Sequence, residues 1–246
     1  MKFQFYFLFL CAVTFCSFES SADSTSVTHP PSVLVIPYKP AMHLSDADPD
    51  LSEGSQMEMH IMRETLRKGV IKALNKNFTE VYDMRSVSND FVKSDNRDLD
   101  VLYHTLYFES DSVYTLKYPK LFAIKDTVPK KKSALIEKDT KYINVGIYDQ
   151  MLIPDLSEKY SADYFIFLNE IDIKTHFEDC LNLALKIYRR DLKIHYTIFD
   201  KKGKQLYGDV AVSHFASNSN DVNEIISQNF PAISDYILAS LNKVAK

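Results

Sequence analysis

Acidic side chains are the residues of this chain that are best suited to catalysis or metal binding. The first group of them lies in the segment SDADPDLSEG. Asp46, Asp48 and Asp50 alternate there, as carboxylates do in calcium loops, because hard cations prefer oxygen ligands. Such a loop also needs a glycine at its sixth position and a glutamate at its twelfth, where this chain has Leu51 and Met57. The sequence therefore favours an acidic loop before a helix, with a metal site at the three aspartates as the alternative.

A second acidic group is Glu170 and Asp172, which alternate along a predicted strand and therefore share one of its faces. The same alternation places Asn169 and Ile171 on the opposite face. Paired carboxylates can act as general acid and base in a hydrolase without a fixed spacing in sequence. They are also an ordinary feature of a polar sheet face, so both interpretations stay open.

The other reactive residue types show no catalytic pattern. The seven histidines lack a metal-ligand spacing such as HExxH or HxH, and the chain has no GxSxG, Walker or GxGxxG motif. With five glycines in total, phosphate-binding loops are scarcely available. Cys180 lies between an acidic pair and an apolar strand, and we interpret it as a small buried hydrophobic residue. No catalytic residue and no cofactor are therefore predicted.

The longest regular pattern runs from Asp163 to Phe215 and predicts consecutive antiparallel strands. Between Leu192 and Ile198 every second residue is apolar and the others are polar, which predicts one buried face and one solvated face. The turn that follows contains Gly203, which can adopt the positive φ of a short hairpin loop. We expect this meander to be the backbone of the sheet.

Upstream of the meander, the pattern predicts a strand, a long helix and a second strand. Ser32–Tyr38 is a continuous apolar run, typical of a strand buried on both faces. Ser55-Gln56-Met57-Glu58 has the form of a capping box, and apolar residues recur after it at three- and four-residue spacing. Phe78–Met84 is the predicted second strand. These elements predict an N-terminal βαβ unit with parallel strands.

Mixed patterns between residues 85 and 141 predict an insertion in this domain. They include a short helix over 98–108 and strand-like residues over 112–125. Because insertions often carry partner contacts, we expect the segment to determine binding specificity. A strand over Tyr142–Tyr148 and a helix over 149–161 then lead into the meander.

The C-terminal region predicts helices that close the domain. Asp221 is a predicted N-cap, and Pro231 is predicted to start a second helix, because its fixed φ suits the first helical turn. The predicted fold class is therefore α/β with α+β character. A single domain over residues 32–246 contains a mixed sheet with an N-terminal βαβ unit, an antiparallel meander and packed helices, including a C-terminal helix.

The N-terminus predicts export. A basic start, an apolar core over residues 3–18 and small residues before Ala22 are typical of a secretory signal peptide over residues 1–22, cleaved between Ala22 and Asp23. Residues 23–31 predict a flexible leader. Lipidation at Cys16 is the minority alternative, because a bulky phenylalanine precedes it where a lipobox needs a small residue. We expect a periplasmic protein, with a membrane-attached lipoprotein as the alternative.

Composition limits the classes of partner. A chain of 246 residues with 46% hydrophobic residues can bury one large core. Its net charge of −4 argues against nucleic acid, because counterion release needs a basic face. Any membrane association is expected to occur through a partner protein or, less favoured, through lipidation at Cys16.

Two stretches of the chain carry a family resemblance. VLVIPY is followed by a loop and a long helix, and LSEKYSADYFIFLNEI precedes the hairpin FDKKGKQLYGDV. In this order and pattern, over about two thirds of the mature chain, the sequence resembles the α/β domain of Gram-negative envelope proteins of the CsgG, LpoB and TolB N-terminal type. The segment 85–141 and the absence of a lipobox depart from that family.

The resemblance implies a binding or scaffolding role in a cell-envelope assembly or a secretion-related complex, and no enzymatic activity. The partner is then one or more envelope proteins. The alternative function, from the acidic groups, is a periplasmic hydrolase or a small-ligand-binding protein.

Overall fold

A computed structural model describes residues 30–79, 81–85, 97–112 and 141–245 of the chain. The predicted signal peptide, its cleavage site at Ala22, the alternative lipidation site at Cys16 and most of the predicted leader lie outside the described residues. So do residues 86–96 and 113–140 of the predicted insertion.

The described residues form eight β-strands and five α-helices, which confirms the predicted α/β class. In chain order the elements are β1 (Ser32–Ile36), a 3-10 helix (Pro40–Met42), β2 (His43–Ser45), α1 (Asp48–Gly54), α2 (Met59–Phe78), β3 (Asp83–Arg85), α3 (Arg97–Thr105), β4 (Leu106–Ser112), β5 (Lys141–Ile147), α4 (Leu152–Tyr160), β6 (Tyr164–Asn182), β7 (Ile187–Asp200), β8 (Gln205–Ala216) and α5 (Val222–Val244).

The main sheet is mixed, with the strand order β3-β1-β6-β7-β8. β1 pairs in parallel with β3 and with the first half of β6, and β2 pairs in parallel with β6 further along. β6, β7 and β8 form the predicted antiparallel meander, with Gly203 at φ +80° in its second turn. The βαβ unit, the meander and the C-terminal helix are thus confirmed.

Two predictions about helix boundaries are wrong. Ser55 does not cap α2. It follows α1, and its hydroxyl accepts a hydrogen bond from the backbone N–H of Val222 and donates one to the carbonyl of Asn220. The second strand does not begin at Phe78, because this residue is fully buried at the end of α2 and packs in the core.

A third correction concerns Pro231, which lies inside a single helix rather than at the start of a second one. Asp221 does cap this helix, since its carboxylate accepts from the backbone N–H groups of Asn223 and Glu224. One apolar stripe runs along α5 through buried residues on both sides of the proline, including Phe230 and Ile233. Burial of this stripe overrides the break that proline favours.

The sheet is covered on both faces, because alternate residues of its central strands enter different cores. Val33 and Ile166 belong to a core that contains α2 and α5. Leu34 and Phe165, their neighbours in sequence, belong to a second core with residues of α3, α4 and β5. The two cores make a three-layer arrangement with the sheet in the middle.

Part of the predicted insertion belongs to this second core. The helix predicted over 98–108 is observed as α3 and ends at Thr105, because Leu106 begins a strand that pairs with β5. Leu99, Leu102 and Tyr103 are buried. The described part of the insertion is therefore integral to the domain.

Candidate functional site

The structure separates the three aspartates of the acidic loop. Asp46 accepts hydrogen bonds from the backbone N–H and the hydroxyl of Thr175, at 3.0 and 2.9 Å. Asp50 forms an ion pair with Arg190. Asp48 lies apart from both, at the start of α1. The carboxylates therefore hold the loop at different points, and among the described residues no three histidine, cysteine or acidic side chains group as metal ligands.

Asp48 is the buried member of the loop and has two partners. Its Oδ1 lies 3.0 Å from Nε2 of His43, and its Oδ2 accepts a 2.6 Å hydrogen bond from Nε of Arg63. Burial opposes ionisation, but the hydrogen bond and charge of His43, followed by the hydrogen bond from Arg63, hold the pKa of Asp48 below its ordinary value. Asp48 is therefore an ionised carboxylate that orients the His43 ring.

The acidic pair of β6 lies beside a β-bulge that the alternation did not predict. Leu168 pairs with Tyr196 and Glu170 pairs with His195, so Asn169 is an additional residue between the two pairs. The bulge turns Asn169 to the same face as Glu170, where its side chain donates to the hydroxyl of Thr197 at 2.8 Å. Its predicted position on the opposite face is therefore wrong.

The polar face of the meander is buried, not solvated as predicted, because the β4–β5 hairpin covers it. Asn169 donates to the carbonyl of Ile143 at 2.7 Å, and the backbone N–H of Ile143 donates to Nδ1 of His195 at 2.9 Å. The hydroxyl of Thr197 donates to the side-chain oxygen of Asn144 at 2.9 Å. These bonds join β5 to the sheet face.

The surroundings of Glu170 strongly shift its pKa. Burial, and then the charge of Asp172, raise the pKa of Glu170 to about 7. His195 accepts at Nδ1, so the neutral ring carries its proton on Nε2, which lies 3.7 Å from Oε1 of Glu170. The structure thus adds a histidine to the predicted acidic pair.

Apolar residues are exposed at the end of the β6–β7 hairpin, in the segment 177–188, which we name the hairpin tip. Four large side chains of this segment are more than half exposed: Phe177 at 70%, Leu181 at 55%, Leu183 at 84% and Leu185 at 69%. Monomeric proteins rarely leave such side chains grouped in solvent without a function.

The hairpin tip extends beyond the rest of the sheet. β2 pairs with β6 only as far as Ile173, and β8 pairs with β7 only as far as Arg189. Apart from Tyr188, whose backbone bonds to Ser217, the two strands of the tip pair only with each other within the described residues, and no described strand lies along the outer edge of this part of β6. Asp191 is buried at the base of the tip, where it accepts a 2.7 Å hydrogen bond from His214.

Cys180 lies in the hairpin tip and is exposed, which contradicts the prediction of a buried hydrophobic residue. A bulged stretch of β6 contains it, with register shifts on both sides. The alternation of Leu181, Leu183 and Leu185 suggested a buried strand. A signal for exposure was available, because this run lies where the predicted meander must turn.

A cleft of about 520 Å³ lies elsewhere, beyond the carboxyl end of β1, and we name it the β1 cleft. The segment after β1 lines one side and the first turns of α2 line the other: Tyr38, Pro40, His43, Met59, Arg63 and Arg67. Neither the acidic pair of β6 nor the hairpin tip contributes to it.

No protein-family model matches the chain, and no curated protein matches it. Within the described ranges, none of the helices is both long enough and apolar enough to span a membrane.

Proposed function

We propose that this chain is an exported, non-enzymatic protein of the cell envelope that binds another envelope protein, and that the hairpin tip is its docking surface. The exposure of four large apolar side chains at the tip carries the proposal. The signal-peptide pattern and the resemblance to envelope proteins support the compartment and the class of partner.

The apolar area of the tip is large enough for docking. At the observed exposures, Phe177, Leu181, Leu183 and Leu185 present on the order of 500 Å², which equals the largest patch of many monomers, a patch that is often functional. The turn itself does not require these residues, since the β7–β8 turn of the same sheet is made with Asp200, lysines and Gly203.

The backbone of the tip defines the chemistry of the partner. Because no described strand pairs with the outer edge of β6 after Ile173, an extended segment of a partner can add to this edge. Strand addition supplies main-chain hydrogen bonds, while apolar pockets for Leu183 and Leu185 supply affinity. The partner is therefore a protein with a free strand edge next to an apolar groove.

The proposal is tested by crosslinking in cells, followed by purification of the tagged protein and mass spectrometry. We expect one stoichiometric envelope protein with the native chain and its loss with Leu183→Ser/Leu185→Ser. The matched control is Lys201→Ser/Lys202→Ser in the β7–β8 turn, which must retain the partner. Equal recovery from both variants, or no partner at all, would overturn the proposal.

The role of the insertion in specificity stays a prediction for residues 113–140, and the structure sharpens its test. Deletion of all of 85–141 would remove α3 and β4 from the domain. Ser112 and Lys141 are paired at the end of the β4–β5 ladder, so a two-residue Asn-Gly turn can join them directly. A folded, shortened chain that loses its partner would assign specificity to this segment, and one that keeps it would leave docking to the hairpin tip.

The second candidate function, a hydrolase, rests on Glu170 beside His195. A carboxylic acid with a pKa of about 7 is suited to general acid catalysis at neutral pH. Against this function, both side chains are buried under the β4–β5 hairpin, and His195 is held by the backbone of Ile143. Hydrolysis of an envelope-derived substrate that is lost in Glu170→Gln, while partner capture persists, would favour the hydrolase.

A further inference from the structure

The β1 cleft is placed and sized like a ligand site. Its volume of about 520 Å³ lies within the range of small-molecule pockets. β1 pairs in parallel with β3 and β6, and ligands of open α/β sheets bind beyond the carboxyl ends of such strands. α2 begins at the same place, with Met59 as its first residue.

Two buried polar groups of the cleft wall have no hydrogen-bond partner among the described residues. Tyr38 is 1% exposed and His43 is 8% exposed, and the unpaired atoms are the Tyr38 hydroxyl and Nδ1 of His43. Native proteins pair nearly all of their buried polar atoms. Two such atoms on the wall of one cleft indicate that a ligand pairs with them.

The hydrogen-bonding character of these two groups selects a hydroxyl group. Ionised Asp48 can only accept, so Nε2 of His43 carries a proton, and Nδ1 accepts in the neutral ring and donates in the charged ring. The hydroxyl of Tyr38 can donate. A ligand hydroxyl both donates and accepts, and it therefore satisfies either group.

The charges around the cleft favour a ligand with a single carboxylate. Arg63 uses only Nε on Asp48, and its terminal amino groups form no hydrogen bond to a described residue, while its side chain is 46% exposed. The first turn of α2 has no side-chain cap, so its backbone N–H groups favour a negative charge. Glu58 and Glu64 also line the cleft and disfavour a dianion.

The guanidinium of Arg67 is already bonded within the protein and is not assigned to the ligand. Its guanidinium donates to the carbonyl of Tyr38, to Glu64 and to the hydroxyl of Tyr103. These bonds fix the inner wall of the cleft and leave Arg63 as the anion-binding side chain.

We propose that the β1 cleft binds a small hydroxy acid, a molecule with one carboxylate and at least one hydroxyl group. The carboxylate lies at Arg63 and the start of α2, and a hydroxyl pairs with Tyr38 or His43. This site is independent of the hairpin tip and adds a small-molecule ligand to the proposed protein partner.

The experiment is an NMR titration of the ¹⁵N-labelled protein with three probes, L-lactate, D-gluconate and D-glucuronate. At least one of them is expected to shift the amide resonances of residues 59–63 in a saturable way. The controls are D-glucose, which has no carboxylate, and butyrate, which has no hydroxyl. Each is expected to bind about tenfold more weakly or worse, because it leaves polar groups of the site unpaired.

Variants separate a built site from a general anion effect. Tyr38→Phe and Arg63→Gln are each expected to weaken the best probe by about tenfold. Tyr148→Phe, at an exposed tyrosine, and Lys72→Gln, at an exposed lysine of α2, are the matched controls and should not change its affinity. Without ligand, Tyr38→Phe should raise the melting temperature, because it removes an unpaired buried hydroxyl.

Three outcomes would overturn the proposal. The first is that none of the three acids shifts the amide resonances of residues 59–63. The second is that glucose and butyrate bind as well as the acids do, and the third is that Tyr38→Phe leaves the affinity unchanged.

Discussion

Polar side chains are usually exposed and large apolar side chains are usually buried. The polar face of the meander and the hairpin tip are opposite exceptions to this distribution. On the polar face, Asn169, Glu170 and His195 are buried; in the hairpin tip, Leu183 and Leu185 are exposed. Both regions belong to the same hairpin, which β6, β7 and the turn between them form.

The difference lies in how each exception is compensated. The amide nitrogen of Asn169, Nδ1 of His195 and the hydroxyl of Thr197 find partners within the chain, because the β4–β5 hairpin brings the backbone of Ile143 and the side chain of Asn144 to them. Oδ1 of Asn169 has no partner among the described residues. The exposed leucines find no cover among the described residues. An exception that the chain resolves itself is structural, whereas one that it leaves open indicates a partner.

The largest expected effect concerns the hairpin tip, whose exposed leucines have no cover among the described residues. In a chain that begins at Asp23, Cys180 is the only cysteine, and it is exposed in the hairpin tip. Attachment of a maleimide-linked polymer to this thiol should abolish partner capture, because the polymer covers the leucines. The measurement is capture from an envelope extract with labelled and unlabelled protein. A labelled protein that still captures its partner contradicts the account, and Cys180→Ser controls for unspecific labelling.

The next largest effects concern the buried polar face of the meander. Asn169→Ala should destabilise the protein by about 2 kcal/mol, because it removes one buried and one partly buried hydrogen bond and leaves the carbonyl of Ile143 unpaired, while the buried Oδ1 of Asn169 has no bond to lose. Asn182→Ala, at an exposed asparagine of the hairpin tip, is the control and should cost about 0.5 kcal/mol or less. Urea unfolding measures both. Equal costs would remove the distinction between the two regions.

A pH dependence follows from Glu170. Burial raises its pKa in the folded state from 4.5 to about 7, so the folded protein holds this proton more tightly than the unfolded chain does. The stability linked to this proton is complete below pH 4.5 and is lost as the pH rises to about 7.

Glu170→Gln replaces the carboxyl group with an amide that is neutral at every pH. The variant should therefore match the native protein near pH 4.5 and exceed its stability by about 3 kcal/mol at pH 8. The check is urea unfolding at both pH values. A constant difference between the two proteins would show that Glu170 does not titrate in this window.

The smallest effect compares the two turns of the meander. Lys186 in the hairpin tip has φ +52°, in the left-handed region, as does Gly203 in the β7–β8 turn with φ +80°. Lys186→Gly should stabilise the protein by about 0.5 kcal/mol, and Gly203→Ala should destabilise it by about 1 kcal/mol. Thermal unfolding of the two variants gives both values. Destabilisation by Lys186→Gly would show that the tip is not strained.

Much of the sheet was predictable from local pattern. The continuous apolar run of Ser32–Tyr38 correctly indicated a doubly covered strand, and the alternation from Leu192 to Ile198 correctly showed which residues of β7 face the core with α2 and α5. These predictions succeeded because burial on one or both faces leaves a direct period in the sequence.

The errors arose where a distant segment decides the environment. Alternation showed that His195 and Thr197 share a face, but it could not show that the β4–β5 hairpin covers that face. The bulge at Asn169 and the exposure of Cys180 depend on strand register, which no local period encodes. The β1 cleft was also missed, because Tyr38 was assigned to the predicted strand and His43 to the loop after it. No local pattern shows that the start of α2 lies opposite these two residues.

The most direct test of the central claim is photocrosslinking in cells with benzoylphenylalanine at single positions. We predict that a probe at position 183 in the hairpin tip yields one discrete adduct with an envelope protein. A probe at position 202 in the β7–β8 turn, which is also exposed, should yield none. Adducts of equal yield at both positions, or no adduct at position 183, would contradict the account.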